Sequence, residues 1–369
     1  MQRRGPVRRP TGVRYPRLLA AVLAAVLVAA CGTSTVVAGD PAPVPPAPVP
    51  SAPVPSAPVS SSAASTSTSA PVVPAAQERR RIVVSGTGDV NLDPGYVPAL
   101  RAEGYAHAWS GLEGLFTEDD LTVVNLECPV STRGEIVPKE FNFRCDPEAL
   151  PAAREAGVEV ANLANNHSGD YGPVALLDSV ELVRGAGIAP VGIGEDATAA
   201  NAPAVVEVGG WTVAVLGFGG VVPSGDWLAT DSRPGMADGD DIESMTAAIR
   251  LADEGADLVF VSIHWGVELD VEPRADDVER AHAMIDAGAD GVFGHHSHRL
   301  QPIGEHAGRP IAWGLGNFVW PRNSAEGSRS AVAQFVVEPD GSVTGCLLPA
   351  DIVSSGHPVL TGGRSCDTL

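Results

Sequence analysis

Basic residues are scarce in this 369-residue chain: 24 lysines and arginines face 45 aspartates and glutamates, for a formal charge of −21. That balance disfavours nucleic acid and other polyanions as non-specific partners. Cysteines number five, which turns any metal chemistry away from thiolate ligands. Long apolar runs are missing as well: LLAAVLAAVLVAA, residues 18–30, is short for a bilayer span, which needs about 20 residues. What is plentiful is ordinary core material. The chain is 44% hydrophobic, with six Trp and eight Phe, enough for one large domain or two small ones, and this excludes disorder throughout.

The apolar run follows Arg3, Arg4, Arg8, Arg9, Arg14 and Arg17. A basic start and a short apolar stretch have the layout of a secretory signal, with a membrane-spanning anchor as the alternative. Val28-Ala29-Ala30-Cys31-Gly32 resembles the lipobox of bacterial lipoproteins. Residues 1–31 are therefore expected to be a lipoprotein signal, with Cys31 acylated and the protein held at the membrane outside the cytoplasm. The flanking residues of a twin-arginine signal are absent. Cys128, Cys145, Cys346 and Cys366 remain, an even number that allows three pairings. The local choice, Cys128 with Cys145 and Cys346 with Cys366, closes short loops worth roughly 3 kcal/mol each on a chain-entropy argument.

Residues 32–79 are rich in Pro, Ala and Ser, with an APVPS-like repeat and almost no charge. Such a composition cannot build a core. In polyproline II it extends by about 3.1 Å per residue, so some forty residues form a stalk reaching ~120 Å. Folded sequence starts near Arg80 and is expected to form one domain over 80–350, with 351–369 as a tail tied by a disulfide. Apolar, β-rich runs recur at RIVVSGTGDV, LTVVNLE, VEVANLANNH, DLVFVSIHW and DGVFGHH, and each ends in polar residues. Helix-period segments lie between them, and two hairpins turn at Gly209-Gly210 and near Asp340-Gly341. The pattern predicts an α/β sandwich with mixed sheets, its polar strand ends gathered on one rim.

Those ends carry Asp89 with Asn91, Asn125 with Glu127, Asn165-Asn166-His167, His264, and His295-His296-Ser297-His298. Imidazole mixed with carboxylate oxygen suits Mn, Fe or Zn, and a bridging carboxylate would serve two ions ~3.5–4 Å apart. If the last strand continues through GHHSH, period-two geometry sends His296 and His298 to one side and His295 to the other, in a supporting role. Each residue also has an ordinary alternative. Asp89 suits a turn, Asn125 and Asn165 suit tight loops, and His264 suits a hydrogen-bonded core. Glu268 is a candidate substrate contact, and Asn317 a loop pin. His107, His282, His306 and His357 receive no role.

The segments GTGDVNLD, NLECP, NLANNHSGDYG, SIHWGVE, GADGVFGHHSHRLQPI and GRPIAWGLGNFVW occur in the order seen in CapA-type poly-γ-glutamate capsule proteins, a family similar to the calcineurin-like metallophosphoesterases. The resemblance spans roughly residues 80–320. It implies an α/β/β/α sandwich and a divalent metal centre of one or two ions. One metal would lie near Asp89, Glu127 and His298, and a second near Glu127, Asn166, His264 and His296. It further implies an outer histidine, His167, oriented by Asp170. Where the phosphoesterase pattern has DxH this chain has Asp89-Val90-Asn91, and Glu127 stands where Asp is usual. Asn91 is a poor ligand, so a single-metal hydrolase and a ligand site without turnover both stay open. The expected function is either metal-dependent hydrolysis of an anionic or amide-linked envelope polymer or a phosphoester, or a non-catalytic place in a membrane synthesis or export complex.

Overall fold

The computed structural model describes residues 78–368. The signal 1–31 with Cys31, and the stalk up to residue 77, lie outside the described residues. Among the described residues no helix is long and apolar enough to cross a membrane.

Two sheets face each other. One runs, edge to edge, His357–Leu360, Val343–Ser354, Arg329–Val337, Ile82–Val90, Leu121–Leu126, Val160–Asn162 and Ala189–Val191, with Asn317–Val319 pairing the end of Ile82–Val90. The other runs Ile303–His306, Arg309–Ala312, Gly291–His295, Leu258–His264, Trp211–Gly219 and Ala204–Val208. In the first sheet the pairing is antiparallel from His357–Leu360 to Ile82–Val90 and parallel from there to Ala189–Val191; in the second, parallel pairs carry the centre and antiparallel hairpins the margins, so both sheets are mixed, as the strand and helix pattern predicts.

Alternation along each strand decides what lies between the sheets. In Leu258–His264, Val259, Val261 and Ile263 join the outer core with Met245, Ile249 and Met284. These come from the helices Ile242–Asp253 and Ala275–Asp286. Leu258 and Phe260 face inward, packing with Ile82, Val84, Val123, Phe293 and Phe335. A third cluster, including Leu163, Leu176 and Val183, covers the far side of the first sheet. The helix Gly172–Gly185 supplies the last two of these residues. Helix, sheet, sheet and helix are thus stacked through three cores, the calcineurin-like sandwich.

Chain ends of these elements are sharply defined. Asp241 caps its helix by accepting from Ser244 N at 3.1 Å, and Asp277 reaches back to Arg274 N at 3.1 Å, each filling a first-turn donor requirement. The tail reading needs correction. Val343–Ser354 crosses residue 350 without a break, and His357–Leu360 adds an edge strand after a turn at Gly356, φ 75°. Ala350 and Ile352 are buried while Val353 is exposed, an alternation that continues the sheet rather than ending it. The structure joins Cys346 to Cys366 and Cys128 to Cys145.

Candidate metal centre

The inward stripe of each strand leads directly to the site. Leu121 and Val123 pack between the sheets, and the same parity brings Asn125 and then Glu127 to that side at the strand end. Leu258 and Phe260 likewise lead to Ser262 and His264. In Ile82–Val90 the inward residues are even-numbered, which would place Asp89 on the wrong face; a register shift between Gly86 and Asp89 resets the parity. Asp89 then accepts from Asn125 Nδ2 at 2.9 Å, inside the molecule.

Glu127 is the meeting point. Its Oε1 lies 3.8 Å from His298 Nε2, 3.9 Å from His264 Nε2 and 3.9 Å from His167 Nε2. Asp89 Oδ2 is 3.1 Å from His298 Nδ1. Two groups place one ligand atom per residue within 4.8 Å of one another: Glu127, His296 and His298, and Asp89, Glu127 and His264. Glu127 is shared, while His264 and His298 have changed places relative to the expected split. Asn166 Oδ1 sits 2.9 Å from His264 Nε2, beside the shared carboxylate.

The donor set fits a divalent cation. Both oxygens of Glu127, and Nδ1 of His295 and His296, are buried without a hydrogen-bond partner. Acceptors left bare in this way cost free energy that a cation would offset. The electrostatics agree. Burial, with the charges of Asp89 and Glu268, holds the Glu127 carboxyl well above its usual range. Burial also raises Asp89, but the hydrogen bond and charge of His298 outweigh it and leave Asp89 below its usual value. Burial lowers His264 far below an ordinary imidazole and brings His295 and His296 to about 4, so these rings are neutral, as ligation requires.

The histidine triplet departs from the alternation argument. The strand stops at His295, which belongs to the inward stripe with Gly291 and Phe293 and bonds Ser262 Oγ through Nε2 at 3.0 Å. His296 and His298 reach Glu127 by another route: both sit at positive φ, 85° and 51°, in a turn that folds the chain back over the strand end. Asn91 uses its Oδ1 to accept from Asp93 N at 2.9 Å, closing an Asx turn, and its Nδ2 is buried without a partner. Asn165 bonds Leu126 O and His167 N, shaping the loop.

His167 Nδ1 lies 2.7 Å from Asp170 Oδ2. Burial lowers the imidazole, against the hydrogen bond and charge of Asp170. Two partners were not found from the sequence. Lys139 Nζ bonds Asp170 Oδ1 at 2.6 Å and Asn166 O at 2.5 Å, and Phe143 stacks on the His167 ring at 4.0 Å. Both come from the irregular stretch between the strand Leu121–Leu126 and Leu150, which has no periodicity to read; Lys139 in IVPKEF, the single lysine of the chain, was the available signal. Beside the centre lies a cavity of about 270 Å³, lined by His167, His298, Tyr96, Phe143, Trp320 and the exposed Glu268.

Residues 83–322 match the family described as bacterial capsule synthesis protein PGA_cap. The chain belongs to this family. Among its PGA_cap relatives, the PGA biosynthesis protein CapA of Bacillus subtilis is 31% identical over 271 residues, 73% of this chain and 71% of its own. The capsule biosynthesis protein CapA of Bacillus anthracis is 29% identical over 76% of this chain and 70% of its own. A probable polyglutamine synthesis accessory protein of Mycobacterium tuberculosis is 36% identical over 213 residues, 55% of this chain. That match spans about half the relative's length, 56%. The expectation of a CapA-type capsule family and of its sandwich fold is borne out.

Proposed function

We propose that this PGA_cap protein is a metal-dependent hydrolase acting on an acidic, amide-linked envelope polymer or a phosphoester during polyglutamate capsule synthesis or processing. The observation that carries the reading is Glu127 Oε1, bare and buried, with three imidazole Nε2 atoms at 3.8–3.9 Å. Asp89, Glu127, His264, His296 and His298 would hold the ion, with Asn166 beside His264. A bound divalent ion (Mn, Fe or Zn) supplies a Lewis acid and makes a nearby water more acidic. The chain's own groups do the rest. Asp170 fixes the His167 Nδ1 hydrogen bond, which leaves Nε2 free to hold a proton for a leaving group. Lys139 pins Asp170, Phe143 stacks on the His167 ring, and Tyr96, Phe143 and Trp320 line the cavity.

A second reading has one observation in its favour. Asn91 Oδ1 is already spent on Asp93 N, which leaves the Asp89 side of the centre one ligand short. The protein would then bind metal without turnover, as a component of a membrane synthesis or export complex. In either case we place it outside the cytoplasm, anchored through acylated Cys31 and carried by the stalk of residues 32–79. Loss of labelled lipid in Cys31→Ala tests the anchor. For the centre, the full chain is assayed for bound metal and for turnover of phosphodiester, phosphomonoester and γ-glutamyl substrates, alongside His298→Ala. Metal with turnover that both vanish in the variant supports hydrolysis; metal without turnover supports the second reading. A wild-type chain that binds no divalent metal refutes both.

A further inference from the structure

A second cleft, of about 470 Å³, is larger than the cavity at the centre and is lined by Asp93, Arg101, Thr132, Arg144, Asp146 and Tyr171, among others. Each oxygen of its two acids already accepts from one of the protein's own donors. Asp93 accepts from Gly95 N at 2.7 Å and Arg144 N at 2.9 Å, and Asp146 accepts from Glu148 N at 3.0 Å and the Tyr105 hydroxyl at 2.5 Å. Its two arginines have no carboxylate partner. Arg144 sits 3.5 Å from the centre of the Tyr171 ring and gives a hydrogen bond to Gly134 O at 3.3 Å, while its buried Nε has no partner. Among the described residues neither the Arg144 nor the Arg101 guanidinium forms an ion pair with a carboxylate. In a chain with 45 acidic residues against 24 basic ones, two unpaired guanidiniums in one cleft leave its donor capacity open to an outside acceptor.

We propose that this cleft is a binding site for a carboxylate of an acidic acyl polymer. Arg144 serves as the planar fork, held in place by Tyr171, and Arg101 as the cation at the rim. A guanidinium that faces a cleft without a carboxylate partner is a donor that an outside carboxylate can satisfy. Arg144 follows Phe143 and Tyr171 follows Asp170 in the chain, the two residues that hold His167, so the cleft and the centre are built from the same two loops. The choice of polymer rests on the function proposed above; anion binding by Arg144 does not.

The test is isothermal titration of the full chain with a γ-linked glutamate oligomer in the presence of a chelator, which removes any contribution from a metal. Wild type should bind, and Arg144→Gln should weaken binding about tenfold or more. Arg144→Lys should recover only part, since an ammonium lacks the fork. Arg101→Gln changes an exposed side chain that carries no packing; it should weaken binding a few-fold and flatten the salt dependence, and it decides the matter if Arg144→Gln misfolds. Unchanged affinity in a folded Arg144→Gln or in Arg101→Gln, or no binding by wild type, overturns the proposal. Inorganic phosphate that competes as well as the oligomer overturns the carboxylate assignment. Oligomer binding in a chain without turnover supports the cleft while refuting the hydrolase.

Discussion

Replacing Glu127 by glutamine should separate the stability that the centre sacrifices from the ion that it holds. Glu127 is fully buried, and neither of its oxygens has a hydrogen-bond partner. Its pKa is raised in the folded chain, first by burial and then by Asp89 and Glu268, relative to about 4.3 in the unfolded chain. The folded state therefore holds the proton more tightly. The contribution to stability is complete below about pH 4 and is lost as pH climbs toward the folded value. Glutamine keeps the shape and cannot ionise. An unsatisfied buried polar group costs ~1–3 kcal/mol, and more when charged. In chelator at pH 8 the variant should thus be more stable by at least ~1–3 kcal/mol. At ~2–4 °C per kcal/mol, this raises Tm by ~2–12 °C, and the gain should shrink toward zero near pH 4. Adding Mn or Zn at a hundred times its Kd should stabilise wild type by ~2.7 kcal/mol and leave the variant unmoved. Scanning calorimetry at both pH values, with chelator and with metal, reads all four arms. A variant less stable than wild type at pH 8 in chelator, or one that metal stabilises equally, would refute the reasoning.

Lys139→Met removes the ammonium that pins Asp170 and Asn166 O; turnover should fall ~10–100-fold with bound metal retained, and a parallel loss of metal would show that Lys139 shapes the ligands instead. Cys346→Ser with Cys366→Ser opens a loop with a sequence separation of 20 and should cost about 3 kcal/mol, a Tm drop of ~6–12 °C by thermal melt. Asp290 has its pKa raised to about 6 by burial, despite Val259 N and Arg309. Its contribution is present below about pH 4 and is lost by about pH 6. Asp290→Asn should therefore gain on wild type between those values, by up to about 3 kcal/mol less the lost Arg309 pair; a pH-independent Tm difference contradicts this.

The strand ends were legible because their inward stripes are long and apolar: Leu121 and Val123 point ahead to Asn125 and Glu127, and Leu258 and Phe260 to His264. Asp89 was legible by motif and not by parity, since the shift after Gly86 that turns it inward leaves no periodic trace. The His296 and His298 pair was expected for a reason that the structure replaces: the strand ends at His295 and two positive φ values do the turning. Lys139 and Phe143 stayed hidden because they reach His167 from a loop, and a single sequence does not state which loop closes over which strand end. The final strands were misread as a tail because His357–Leu360 is short and follows directly after a turn.

The turn at His296 and His298 also bears on how the sequence came to be chosen. Positive φ favours glycine, and other residues there typically cost ~1–3 kcal/mol each. Selection for stability alone would fill both positions with glycine or asparagine. Imidazoles stand there instead, each against the preference of its own backbone. A survey of variants selected only for folding should lose these two histidines early, while variants selected for the function proposed above should keep them.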